Sequence, residues 1–149
     1  MLGTTGLRIG EAVALDVGDV DLGRGRARVR RSKTGVARDV PVPASVLVRL
    51  DLARAKSEPL FLSPLGHRLD AHNWRERYFR DAAAAGLAGL HVHDLRHTAV
   101  SLAIQSGADV KTVQRMVGHK SGALTLDLYG HLFDKGLDDV SARMDGLLG

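Results

Sequence analysis

Four arginines at every second position, Arg24, Arg26, Arg28 and Arg30 in "RGRARVRR", constrain the fold of this chain more than any other stretch. A period of two belongs to a strand, so the four project to one face. A helix would scatter them around its axis. Lys33 follows, then Thr34–Gly35, a turn signal, and "VARDVPV" returns as a second strand ended by Pro41. The stretch is predicted to be a β-hairpin with Lys33 near its tip. Between Leu22 and Arg38 there are seven bases and no acid. Merely solvated hairpins usually mix signs, so a phosphate-facing ribbon is the favoured reading.

The distribution of charge agrees. Residues 1–21 carry one base against four acids, and residues 127–149 carry two bases against five acids. Residues 22–126 carry 18 bases against eight acids. A basic centre between acidic ends suits a polyanion, of which nucleic acid is the commonest. Hydrophobic residues make up 44% of the 149, enough for one domain with its own core. No apolar run is long enough to span a bilayer, and the first residues do not read as a signal peptide. With no cysteine, disulfides and thiolate metal sites are excluded, and a cytoplasmic location is expected.

Helical patterns fill the rest. Gly6–Leu15 starts a helix with Leu7, Ala14 and Leu15 toward the core, and "DVGDVDLGRGR" reads as turns. A helix is expected over Ala44–Lys56, using Val46, Leu47, Leu50 and Ala53. Another runs over Asp70–Gly86, capped by Asp70, with Trp74 and Tyr78 in the core. Asp94–Ser106 is a third, ended by Gly107. Asp109 caps a fourth through Val117, stopped by Gly118. A short fifth covers Ala123–Gly130. A last amphipathic helix carries Leu137, Val140, Met144, Leu147 and Leu148. The expected fold class is α+β and mainly helical, a small antiparallel hairpin among about six helices.

"HVHDLRHTAV", residues His91–Val100, holds three of the seven histidines. His93 and His97 are four apart, the spacing of a zinc box, with Asp94 where that box has glutamate. Against zinc, Arg96 would set a permanent cation beside the metal with no carboxylate cluster to offset it. His97 also fits a buried, hydrogen-bonded core histidine. The alternative centre is Arg96. Three residues from His93, its planar guanidinium matches the two free oxygens of a phosphate. A metal-free phosphoryl-transfer site would need further cations, an acid and a nucleophile. Arg8, Lys33, His119 and Tyr129 are the candidates, each weak alone.

In order, "TGLRIGEAVAL", "SKTG", "HDLRHTAVSLAIQSGADVKTVQRMVGH" and "LYGH" closely resemble the tyrosine recombinase family, the phage-integrase type, over nearly the whole chain. The resemblance implies a catalytic set of Arg8, Lys33, His93, Arg96, His119 and Tyr129. Glu11 matches a position with a structural role, and His97 one outside the catalytic set, which favours a packing role. It implies DNA strand cleavage and rejoining with no metal or cofactor. Tyr129 would attack phosphorus and form a 3′-phosphotyrosyl bond while a 5′ hydroxyl leaves. Arg8 and Arg96 would hold the non-bridging oxygens, Lys33 would protonate the leaving oxygen, and His93 and His119 would serve proton transfer and positioning. A cationic cluster would favour the phenolate of Tyr129.

Double-stranded DNA is the expected partner, contacted by Arg24, Arg26, Arg28, Arg30, Lys111 and Arg115. The last helix is expected to pack either on a neighbouring copy or on its own core. Residues 1–149 read as one catalytic domain without its first helices and without a core-binding domain, as in an excised fragment, a mis-called start or a decayed prophage gene. Two other classes remain. A non-catalytic DNA-binding regulator would need only the helix–glycine turn–helix around Gly107, with Lys111, Gln114 and Arg115 on its second helix. A zinc hydrolase would need metal on His93 and His97.

Overall fold

A computed structural model describes residues 1–30, 37–81, 86–87, 89–133, 140 and 144–147. The fold is α+β and mainly helical, as expected. The first two helices are single turns, α1 (Leu2–Thr5) and α2 (Ile9–Val13), joined through Gly6. Gly6 has φ +66, and a Cβ there would lie 3.1 Å from a Val117 methyl carbon. Only glycine allows that turn and that close an approach. Leu7 and Leu15 are buried as the pattern requires, whereas Ala14, expected in the core, is exposed because the helix ends before it.

A 3-10 turn (Val17–Asp19) leads into a three-stranded antiparallel sheet, β1 (Val20–Asp21), β2 (Arg26–Val29) and β3 (Arg38–Pro41), in that order. The predicted hairpin is β2–β3, with Ala27 opposite Val40 and Arg28 opposite Asp39. Ala27 and Val29 are buried and Arg26 and Arg28 exposed, as the alternation demands. β1 is a correction to the turn reading. Two residues are too short to carry a period, and β1 is held by pairing with β2. The hairpin tip with Lys33 lies outside the described residues.

The helix expected over Ala44–Lys56 stops after one turn, α3 (Ala44–Leu47), and Ala53 is exposed. The cause is a set of competing bonds. Asp51 accepts the Ala53 amide, and Glu58 accepts the Ala55 amide. Arg54 turns inward to donate to the carbonyls of Pro59 and Leu60 at 2.8 and 2.9 Å. Side chains that offer the backbone such local partners end helices.

Asp70 caps α4 (Ala71–Trp74), its carboxylate accepting the Asn73 amide at 2.8 Å. The chain continues as a π turn over Arg75–Phe79. The wider turn takes Tyr78 out of the core in which it was expected with Trp74. Trp74 meets Phe79, five residues on, with ring centroids 5.6 Å apart, and Tyr78 is 47% exposed.

The last third forms α5 (Val92–Gln105), α6 (Val110–Val117) and α7 (Gly122–Phe133). Asp109 caps α6 through the Thr112 amide, and Gly118, at φ +70, ends it, both as predicted. α7 runs three residues beyond the expected Gly130. Of the last helix, Val140 and Met144–Leu147 are described, and they are helical and exposed. No helix among the described residues is long and apolar enough to cross a membrane.

Among the described residues, two apolar clusters hold the fold. One joins the sheet to α2 and α3 through Leu7, Leu15, Ala27, Val29, Val40 and Leu47. The other joins α5, α6 and α7 through Val100, Ile104, Val113, Val117 and Tyr129. Each fully buried Val or Leu contributes about 1.5–3 kcal/mol. Between the clusters lies a buried ion pair. Arg38 of β3 meets Glu11 of α2 and also donates to the Met116 carbonyl of α6 at 3.0 Å.

Candidate active site and nucleic-acid interface

The first turn of α5 starts the site. His91 precedes it, and its amide donates to the Asp94 carboxylate at 2.6 Å. Asp94 is therefore committed to capping its own helix rather than to a metal or a base. His93 and Arg96 sit one turn apart, as the spacing predicted. Arg96 is 3% exposed. Its two terminal nitrogens donate to the carbonyls of Gly6 and Val117, the second at 2.6 Å. A guanidinium carries five N–H donors, so these bonds fix the fork and leave donors over. Burial, and then neighbouring Arg8, pull Arg96 down to about 10. It remains a cation at neutral pH.

Arg8 stands before α2. Glu11 accepts the Arg8 amide at 2.9 Å and its guanidinium at 3.2 Å. Arg38 takes the same carboxylate at 2.9 and 2.8 Å, so Glu11 orients two arginines at once. Burial alone would raise its pKa, but bonds and charge from Arg38 and Arg8 hold the carboxyl below its usual value. The structural role expected of Glu11 is this one.

Arg8, His93 and Arg96 line one open cleft of about 390 Å³. Three predicted residues from two distant stretches are thus brought together. Arg75 lines the same cleft and escaped the sequence reading. Its signal lay in no motif. It starts the π turn, a feature that often marks functional positions. His93 is held below its ordinary value by burial first, then by His97, Arg96 and Arg8, with Asp94 opposing.

His119 follows α6. Its Nδ1 lies 3.0 Å from the hydroxyl of buried Thr125. Burial, with Arg96, Arg8, Arg38 and His93 adding repulsion, pulls it down to about 4. At neutral pH it is a neutral hydrogen-bonding group rather than a proton donor of the imidazolium type. It borders a second groove of about 860 Å³. Arg24, Arg26 and Arg28 line one side and Lys111, Arg115 and Lys120 the other. Lys120 was not singled out from sequence. Arg30, expected on this face, instead bonds Asp19 at 2.5 Å and lies 3.5 Å from Asp16.

Tyr129 of α7 is 5% exposed, and its hydroxyl lies 2.5 Å from Nδ1 of His97. His97 is thus hydrogen-bonded, as the core-histidine reading expected, and its partner is Tyr129. The rings of His93 and His97 meet edge-on, 5.1 Å between centroids. The expectation that cations favour the phenolate does not hold in this arrangement. Burial pushes the Tyr129 phenol up, and Arg96 only partly opposes it.

Comparison with known proteins places this geometry. Residues 1–135 match the model of the phage integrase family. The chain is 40% identical over 122 residues to tyrosine recombinase XerC of Chromobacterium violaceum, covering 76% of this chain and 40% of that protein. It is similar to the crystal structure of XerA recombinase, with TM-score 0.70 and 30% identity over 96% of this chain and 54% of that one. The catalytic domain of bacteriophage HP1 integrase, at 21% identity, shares the fold with TM-score 0.71, over 95% of this chain and 76% of that one. The chain spans less than half the length of the curated relatives it matches. A cleft built from Arg8, His93 and Arg96, on a fold shared with these recombinases and within a match running from residue 1 to residue 135, places this chain in the phage integrase family.

Proposed function

We propose that the chain carries the chemistry of site-specific DNA recombination, cutting and rejoining strands through a 3′-phosphotyrosyl bond on Tyr129. One observation carries this reading. The cleft of Arg8, His93 and Arg96 opens at the start of α5 and the arginine-lined groove runs along α6 to His119, and the bond from Arg96 to the Val117 carbonyl ties the two helices. Backbone phosphates of double-stranded DNA fit the groove, held by Arg24, Arg26, Arg28, Lys111 and Arg115.

The scissile phosphate then enters the cleft, where Arg8 and Arg96 donate to its non-bridging oxygens. Fixed donors aimed at charge that develops in the transition state are the strongest device available to a metal-free site. Tyr129 gives its proton to the neutral imidazole of His93, and its oxygen bonds to phosphorus as the bond to the 5′ oxygen breaks. Lys33 supplies the proton to that oxygen, and neutral His119 hydrogen-bonds the phosphate. The covalent bond conserves the energy of the phosphodiester, so a 5′ hydroxyl from another strand reverses the step. The test is covalent trapping on a nicked suicide substrate.

The regulator reading keeps one support, since α5, Gly107 and α6 do form a helix–turn–helix with Lys111 and Arg115 on the groove. A regulator would bind DNA and trap none. Assembly on DNA through the C-terminal residues belongs to the same proposal. Val140, Met144 and Leu147 are 45%, 55% and 86% exposed, as suits a tail that packs on a neighbouring copy. Deleting residues 137–149 should lower the mass of the DNA complex.

A further inference from the structure

Gln114 fixes the backbone of His119. Its carbonyl accepts the His119 amide at 3.1 Å, and its side-chain amide donates to the His119 carbonyl at 3.3 Å. Thr125 of α7 fixes the ring, with its hydroxyl 3.0 Å from Nδ1. A neutral imidazole has one nitrogen that donates and one that accepts, so the direction of this bond sets the tautomer. Burial decides the direction. Thr125 is 0% exposed, so its hydroxyl proton cannot go to water. A helical threonine can turn that proton to the carbonyl four residues back, as Thr98 does to Asp94 at 3.0 Å. Thr125 makes no such bond, and among the described residues Nδ1 is its only acceptor. A buried hydroxyl left without an acceptor is costly. The hydroxyl therefore donates, Nδ1 accepts, and the ring proton falls to Nε2.

We propose that Thr125 is a positioning residue that fixes His119 in the Nε2–H tautomer, so that Nε2–H is offered to a phosphate oxygen in the arginine-lined groove. The proposal rests on the reading that the chain cuts and rejoins DNA. His119 borders that groove between the cations of β2 and those of α6. Held down to about 4, the ring is neutral near pH 7, so the tautomer and not a charge decides what Nε2 presents. The other tautomer would turn a lone pair toward the negative oxygens of the phosphate. A threonine buried on a different helix thus decides whether the histidine attracts or repels the substrate.

Long-range proton–nitrogen NMR of the isotope-labelled chain at neutral pH reads the tautomer without DNA. The chain has seven histidines, and the signals of His119 are those lost in His119→Gln. The parent spectrum is expected to show the proton on Nε2 alone. Thr125→Val keeps the shape and removes the hydroxyl, so the two ring-nitrogen shifts should move toward each other as both tautomers fill. Thr125→Ala serves if the Val variant does not fold, and Thr125→Ser should restore the parent pattern. A parent ring protonated on Nδ1 would overturn the proposal whether or not any variant folds. So would a Val or Ala spectrum equal to the parent's. On a nicked suicide duplex the Val or Ala variant should form the covalent adduct about tenfold more slowly, the scale of one hydrogen bond, with Ser near the parent rate. A Val or Ala variant as fast as the parent would also overturn it. A native chain that forms no adduct would instead strike the cleavage reading, and the ring spectra would stand apart from that result.

Discussion

Glu11 and Arg38, 27 residues apart, face each other as a carboxylate and a guanidinium joined by two parallel bonds of 2.9 and 2.8 Å. Their side chains are 5% and 9% exposed. The pair ties α2 to β3 and, through the Met116 carbonyl, to α6. It also sets the guanidinium of Arg8 at the edge of the cleft. Glu11→Gln strands the Arg38 charge, and a buried pair broken on one side typically costs about 3–5 kcal/mol. Denaturant unfolding should show that loss, and Glu11→Leu with Arg38→Met together should lose less than the two single changes combined.

The same carboxyl gives a pH dependence. Its folded value lies below the ordinary 4.5, so the unfolded chain binds the proton first as pH falls. Glu11 therefore contributes stability above about pH 4.5, and this is lost as acid takes the pH down through the lower folded value. His119 works in the same direction in another window. Its value drops from 6.5 to about 4, so stability should fall as pH is lowered from 6.5 toward 4. His119→Gln should reduce the slope between those limits, leaving the part that His93, also held low, contributes below 6.5.

Arg96 has two duties that separate by measurement. Its bonds to the Gly6 and Val117 carbonyls join α1 and α6 to α5, and Arg96→Ala leaves both acceptors buried, at about 1–3 kcal/mol each. Arg96→Lys keeps charge without the fork. It should retain more stability than Ala yet lower the rate of covalent adduct formation by roughly 100- to 1000-fold, the usual loss for one such donor.

The groove predicts which arginines feel salt. Neutralising Arg26, Arg28, Lys111 or Arg115 should each reduce the slope of log affinity against log salt by about 0.9. Arg30→Ala should leave the slope unchanged, because Arg30 already bonds Asp19. Titrations of duplex binding at several salt concentrations decide it.

The elements that sequence reveals are those whose cause is local. Asp109 and Gly118 bracket α6 because a cap and a left-handed stop act within a few residues. Arg26 and Arg28 declare a strand by period alone. What sequence conceals is set across space. Arg38 is one of seven bases in the hairpin stretch, yet it folds inward because Glu11 waits on another element. Trp74 pairs with Phe79 through a π turn that no period-based reading anticipates. His97 follows Arg96 in a stretch already crowded with signals, and its bond to Tyr129 spans 32 positions. In the candidate site, spacing named His93 and Arg96 and the family resemblance added Arg8, while Arg75 and Lys120 emerge only from the shapes of the two grooves.

Trapping on a nicked suicide duplex, comparing the native chain with Tyr129→Phe, bears on the central claim most directly. The account predicts a protease-sensitive protein–DNA adduct for the native chain, none for the variant, and duplex binding within a few-fold of native for both. An adduct that persists in Tyr129→Phe would contradict it.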